Sequence, residues 1–239
     1  MRDQTVKYQV GIGNVSVTIP TPNNKYLDKF IKFNKKGTDI LSTGVFPNAK
    51  EITESYAALN AFYKHFNLRY KEDDVLILVV GDGAQPRTGV TFAFNTPHIV
   101  VSIDPAMMKN DLYNAGRYWN ATAQPLRNVN GGFIDVERLK LFPSTLWEWA
   151  FGLPKYGNNL DNHMGLMGTP KIIVVGVHDH APPHDIDMLK EKCGHLIKGI
   201  IQMPCCFPNN WTDVWGKPDI EYEDWGIHSP HRTMNIWRF

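Results

Sequence analysis

The 239-residue chain carries 25 basic and 24 acidic residues, a formal net charge of +1, so it has no global field for gathering a polyanion and any nucleic-acid contact needs a local patch. No apolar run approaches the ~20 residues of a membrane span, and no early segment couples basic residues to an apolar core, so a soluble, unsecreted, cytoplasmic protein is expected. Three cysteines, two of them adjacent as Cys205-Cys206, cannot all pair internally, which fits a reducing compartment.

Residues 1–47 stand apart from the rest. Tyr8 to Gly11 and Asn14 to Ile19 alternate partly around a Gly11/Gly13 turn, which predicts a hairpin. Thr21-Pro22-Asn23-Asn24 breaks the chain before a short helix over 25–33, with Tyr26, Phe30 and Phe33 on one face. Asn48, with Glu51 three residues later, makes a box-like start for a longer helix. Its Ile52, Tyr56, Leu59, Phe62, Tyr63 and Phe66 recur at helical spacing, a stripe suited to packing on a sheet. An N-terminal extension over 1–47 and one α/β domain over 48–239 are the expected organisation.

The run Val75 to Val80 is apolar at every position, as in a parallel strand covered on both faces. It ends in Gly81-Asp82-Gly83-Ala84-Gln85-Pro86-Arg87, where two glycines permit tight backbone geometry and Pro86 suits the first turn of a helix over 87–95. A second strand over 98–103 ends in Asp104, 22 positions after Asp82, about the spacing of an acid that holds ribose hydroxyls. This is not the dinucleotide fingerprint, because Pro86 replaces the third glycine and the helix is short. A ligand with adenosine but no pyrophosphate fits better, and S-adenosylmethionine is the obvious one. Its contacts are expected from Gly81, Asp82, Gly83, Pro86 and Asp104, with Arg87 reaching the ligand carboxylate. The competing reading is a buried strand and turn shaped by sterics alone.

Beyond Asp104 a long, weakly patterned segment holding Tyr113, Tyr118 and Trp119 precedes a strand over 138–142, and a further strand covers 171–177. The loop after it begins His178-Asp179-His180. Histidine titrates close enough to neutrality to act as a base, so His178, Asp179 and His180 are the candidates for orienting an acceptor or removing its proton. The same polar side chains suit capping of the helix over 184–196. The loop also raises the possibility of a metal, but the recognisable zinc spacings are absent. A strand over 199–203 leads to Cys205 and Cys206, which read equally as small buried side chains or as functional ones. Segments 220–224 and 232–238 form a terminal hairpin; its turn, with His228, Ser229, His231 and Arg232, is within reach of the crevice rim in this architecture, but a solvated turn is the favoured reading.

Strands alternating with helices and closing in that hairpin predict a Rossmann-like, mostly parallel α/β sheet with helices on both faces and an antiparallel C-terminal hairpin. In that order and in its two acids, the chain over 48–239 resembles the class I S-adenosylmethionine-dependent methyltransferases, whose seventh strand is inserted antiparallel. Val177-His178 and Cys205-Cys206 further resemble a eukaryotic tRNA ribose methyltransferase-like group, in which a histidine motif after strand four precedes a Cys-Cys motif after strand five. That group's His-Leu-Cys-Gly is His178-Asp179-His180-Ala181 here, and Phe207-Pro208 stand where it has histidines, so acceptor identity does not carry over. The resemblance implies S-adenosylmethionine as cofactor and methyl transfer to an oxygen or nitrogen nucleophile, with RNA or a nucleotide as an acceptor. The alternative is a methyltransferase-fold protein that has lost catalysis and serves as a binding or structural subunit. A nicotinamide-dependent oxidoreductase is disfavoured by Pro86 and the short helix.

Overall fold

Runs apolar at every position alternate along this chain with runs apolar at helical spacing, and folding turns them into a sheet wrapped on two sides. The computed structural model describes residues 3–10, 13–20, 23–33, 36–66, 68, 75–109, 126–127, 133–134, 138–142, 144–151, 171–205 and 211–239. The expected hairpin is a separate two-stranded sheet of β1 (Asp3–Val10) and β2 (Gly13–Pro20). The helix expected over 25–33 is a short α1 (Lys25–Asp28) continued by a π-helical turn over Lys29–Phe33. That turn keeps Phe30 buried, edge-on to Tyr56 at 5.3 Å between ring centroids. An unanticipated α2 (Gly37–Ser42) leads to the long α3 (Ala49–His65), where Asn48 Oδ1 accepts the Glu51 N–H as the sequence suggests.

The main sheet has seven strands, beginning with β3 (Val75–Val80), which connects through α4 (Arg87–Asn95) to its parallel neighbour β4 (Ile99–Ile103). A small pair, β5 (Leu126–Arg127) and β6 (Phe133–Ile134), lies apart from it. Strand β7 (Leu139–Phe142) joins the far side of β4, and α5 (Leu146–Phe151) follows. On the other side of β3 come β8 (Lys171–Val177), then α6 (Pro183–Cys193) and β9 (Ile197–Met203). Helix α7 (Trp211–Trp215) precedes β10 (Ile220–Glu223) and β11 (Thr233–Arg238). Strand β11 inserts antiparallel between β9 and β10. Numbered by appearance in this sheet, the spatial order is third, second, first, fourth, fifth, seventh, sixth. The fold is thus Rossmann-like, with the expected antiparallel hairpin at its C-terminal end.

Alternation along β3 assigns each face its own core. Val75, Ile77 and Val79 pack with residues of α3 and α4, such as Tyr56, Phe62 and Phe92, whereas Leu76, Leu78 and Val80 pack with Trp149 of α5, Ile186 and Leu189 of α6 and Trp211 of α7. Tyr26, Phe30, Ile40 and Val45 belong to the first of these clusters, so residues 26–45 share the core of α3. The end of α3 sits directly on the sheet. A Cβ built at Gly199 of β9 would lie 1.9 Å from the Phe66 ring. Among the described residues no helix is long and apolar enough to cross a membrane. Tyr113, Tyr118, Trp119 and Cys206 to Pro208 lie outside the described residues.

Candidate functional site

Strand β3 has its crossover to β4 on one side and β8 on the other, so its carboxyl end is the point where the winding of the sheet reverses and a crevice opens. A cleft of about 540 Å3 lies there. One half is built by the turn after β3 and the end of β4, with Gly81, Asp82, Gly83, Arg87 and Asp104 in its lining. The other half is built by α3, the ends of β8 and β9 and the loop before β11, with Lys50, Glu54, His178, His180, Cys205 and His231.

The glycine turn is shaped by left-handed backbone at two positions, Gly81 at φ +68 and Gly83 at φ +75. They are not equivalent. A Cβ at Gly81 would fall 2.7 Å from the Cβ of Asp179, so the turns after β3 and β8 abut there. At Gly83 nothing lies within 4 Å of that position, which leaves open space above the backbone. Asp82 holds the turn from beneath. Its Oδ1 accepts the Thr88 N–H at 2.9 Å, and its Oδ2 accepts the Gly89 N–H and the Ser102 hydroxyl, each at 2.8 Å. Asp82 therefore caps the first turn of α4 with its own carboxylate. Burial pushes this carboxyl up to about 6, against the opposite pull of those donors.

Asp104 lies half-buried at the end of β4, its Oδ2 accepting from Gly83 N at 2.8 Å and its Oδ1 from Ala106 N at 2.6 Å. An ionised carboxylate offers about four acceptor positions, so these two bonds leave capacity toward the cleft. Arg87, expected to reach a ligand carboxylate, is held to α3 by Glu51 at 3.1 Å and to the Val45 carbonyl through Nε at 3.1 Å. Pro86 is buried at the foot of α4 and is not among the residues lining the cleft.

Of the three residues expected to carry chemistry, the structure brings two to the cleft. His178 and His180 line it. Asp179 is buried and does not, and its Oδ1 accepts the indole N–H of Trp211 at 3.2 Å. His178 adopts φ +50, the only positive φ outside glycine among the described residues, with its N–H donating to the Met203 carbonyl. Such strain persists only where surrounding contacts enforce it. The ring of His178 meets α3, where Glu54 Oε1 lies 2.8 Å from His178 Nε2 and 3.0 Å from Lys50 Nζ. Burial draws the Glu54 carboxyl upward, but His178 and Lys50 outweigh it and hold the group below its ordinary value.

Sequence reasoning missed Glu54 and Lys50, and it favoured a solvated terminal loop over one at the crevice rim. Glu54 interrupts the helical stripe of α3 as a buried acid with a lysine four residues before it, and that pattern is the signal that was present. Ser229, read as solvated, is buried in the lining, and His231 meets the His178 ring edge-on at 6.2 Å between centroids. Cys205 also reaches the cleft, its Sγ 3.2 Å from His180 Nε2.

Compared with known proteins, the sequence matches no family model and no curated protein. Solved structures that align with it include two at low identity. One is a cyclopropane-fatty-acyl-phospholipid synthase-like protein from Lactobacillus casei, at 16% identity and a TM-score of 0.35, covering 71% of this chain. The chain spans 57% of that protein's length. The other is the fibrillarin/Nop5p complex, at 11% identity and a TM-score of 0.37, covering 77% of this chain and 80% of the matched one. At these identities and scores neither likeness bears on function.

Proposed function

We propose that the protein is an S-adenosylmethionine-dependent methyltransferase acting on an oxygen or nitrogen nucleophile. The observation that carries this reading is the division of labour at the glycine turn. In dinucleotide sites a pyrophosphate occupies the helix start, but here Asp82 already fills that position. What stays accessible is the open face of Gly83 and the carboxylate of Asp104. Those suit a ligand with ribose hydroxyls and no phosphate. The sheet order, with its antiparallel last strand inserted beside the fifth, supports the same reading.

Gly81 and Gly83 would carry the backbone past the adenosine, Asp104 would accept its ribose hydroxyls, and Asp82 would keep the turn in shape. When bound, the cofactor supplies an electrophilic methyl carbon on a sulfonium. His178 and His180 face the acceptor half, where a nucleophile must be aligned and relieved of a proton.

Calorimetric titration with S-adenosylmethionine and S-adenosylhomocysteine tests this directly, with saturable binding of both expected. Asp104→Ala should weaken binding by about 1.5–3 kcal/mol, a charge-assisted hydrogen bond's worth. Absence of binding to the wild-type protein would overturn the reading, and unchanged affinity in the variant would remove Asp104 from the site. Methyl-labelled donor incubated with RNA and small-molecule fractions of a cell extract then identifies the acceptor.

A further inference from the structure

Glu54 comes from the packed stripe of a helix, far in sequence from the loop that supplies the cleft histidines, and its side chain is only 2% exposed. A buried carboxylate without partners would be costly. This one has two, His178 Nε2 and Lys50 Nζ. An ionised carboxylate has no proton to give, so in its bond to Glu54 the Nε2 of His178 must be the donor. In the neutral ring that leaves the lone pair on Nδ1. The residue is held at two further points, because its N–H donates to the Met203 carbonyl and His231 meets its ring edge-on.

We propose that Glu54 is a positioning residue, which locks His178 in the Nε2–H tautomer and thereby makes Nδ1 the atom that takes the proton of the methyl acceptor. The proposal rests on the methyl-transfer reading above. The acceptor's O–H or N–H bond breaks, with the proton passing to Nδ1. A bond forms from that oxygen or nitrogen to the methyl carbon, while the carbon–sulfur bond breaks and leaves its electron pair on sulfur. The positive charge that enters on the sulfonium thus leaves as an imidazolium, and Glu54 is already placed to face it. Lys50, bound to the same carboxylate, keeps Glu54 anchored to its own helix when the ring is neutral.

The test is NMR of the purified full-length chain with 15N-labelled histidine, recorded at pH 8 with neither donor nor acceptor added and with the His178 signals assigned by His178→Gln. Wild type is expected to show the Nε2–H tautomer with a slowly exchanging Nε2 proton. In Glu54→Met that proton should exchange at least about tenfold faster, the loss of a hydrogen bond to a charged group, while Glu54→Asp restores part of the protection. A wild-type ring protonated on Nδ1, or equal exchange in both Glu54 variants and wild type, would overturn the proposal. If Glu54→Met fails to fold by thermal scan, Glu54→Gln takes its place in the comparison. In the acceptor fraction found with labelled donor, Glu54→Gln should transfer about tenfold less label at unchanged affinity for S-adenosylmethionine. A wild-type protein that binds no S-adenosylmethionine sinks the methyltransferase reading but leaves the tautomer result standing, so the two failures are distinguishable.

Discussion

Asp82 shows how one side chain can serve architecture at the centre of a site. Its carboxylate is buried and accepts three donors, so Asp82→Asn, which replaces one acceptor oxygen by a donor, should destabilise the protein by about 1–3 kcal/mol. The cost depends on pH. The native carboxyl titrates at about 6 and the unfolded one near 3.8, so the folded protein holds the proton more tightly. The associated stability is fully present below about pH 4 and is lost as pH rises through about 6, a change on the order of 2–3 kcal/mol. Urea unfolding of wild type and variant at pH 4 and pH 7 should therefore show the wild-type advantage shrinking at the higher pH. The glycine turn and Asp104 were legible in the sequence because their spacing is local and chemical. That Asp82 turns inward was not legible, since it depends on Ser102 of the neighbouring strand and on donors six and seven residues ahead.

At the scale of elements, strands apolar at every position were recognisable at once, because a run such as Val75–Val80 has few other ways to bury itself. The π-helical turn after α1 and the short α2 left no comparable trace, since neither is long enough to show a period. Helix α3 was read correctly as packing on the sheet, but its stripe also carries Glu54 into the cleft, and one periodicity cannot separate the two duties. The helix start offers a clean probe. Asn48 is exposed and makes a single cap bond to Glu51 N, so Asn48→Ala should cost about 1 kcal/mol, read as a lower thermal midpoint.

For the whole molecule, the last strand decides whether the sheet closes. Met234, Ile236 and Trp237 are buried, and β11 is the link that joins β10 to the parallel strands. Ile236→Ala should cost about 2–5 kcal/mol, seen as a lower urea midpoint at unchanged slope. The antiparallel hairpin was legible from its own alternation and turn, whereas its partner β9 was fixed only by folding. Elsewhere the molecule couples places that look unrelated. Gly199 leaves room for the Phe66 ring and for nothing else, on the same helix that delivers Glu54 to His178. Even a single methyl there would drive into the Phe66 ring just past the end of α3, so Gly199→Ala should lower the thermal midpoint. The proposed pairing of acid and histidine thus has a neighbour on the sheet's floor that no inspection of the cleft would nominate.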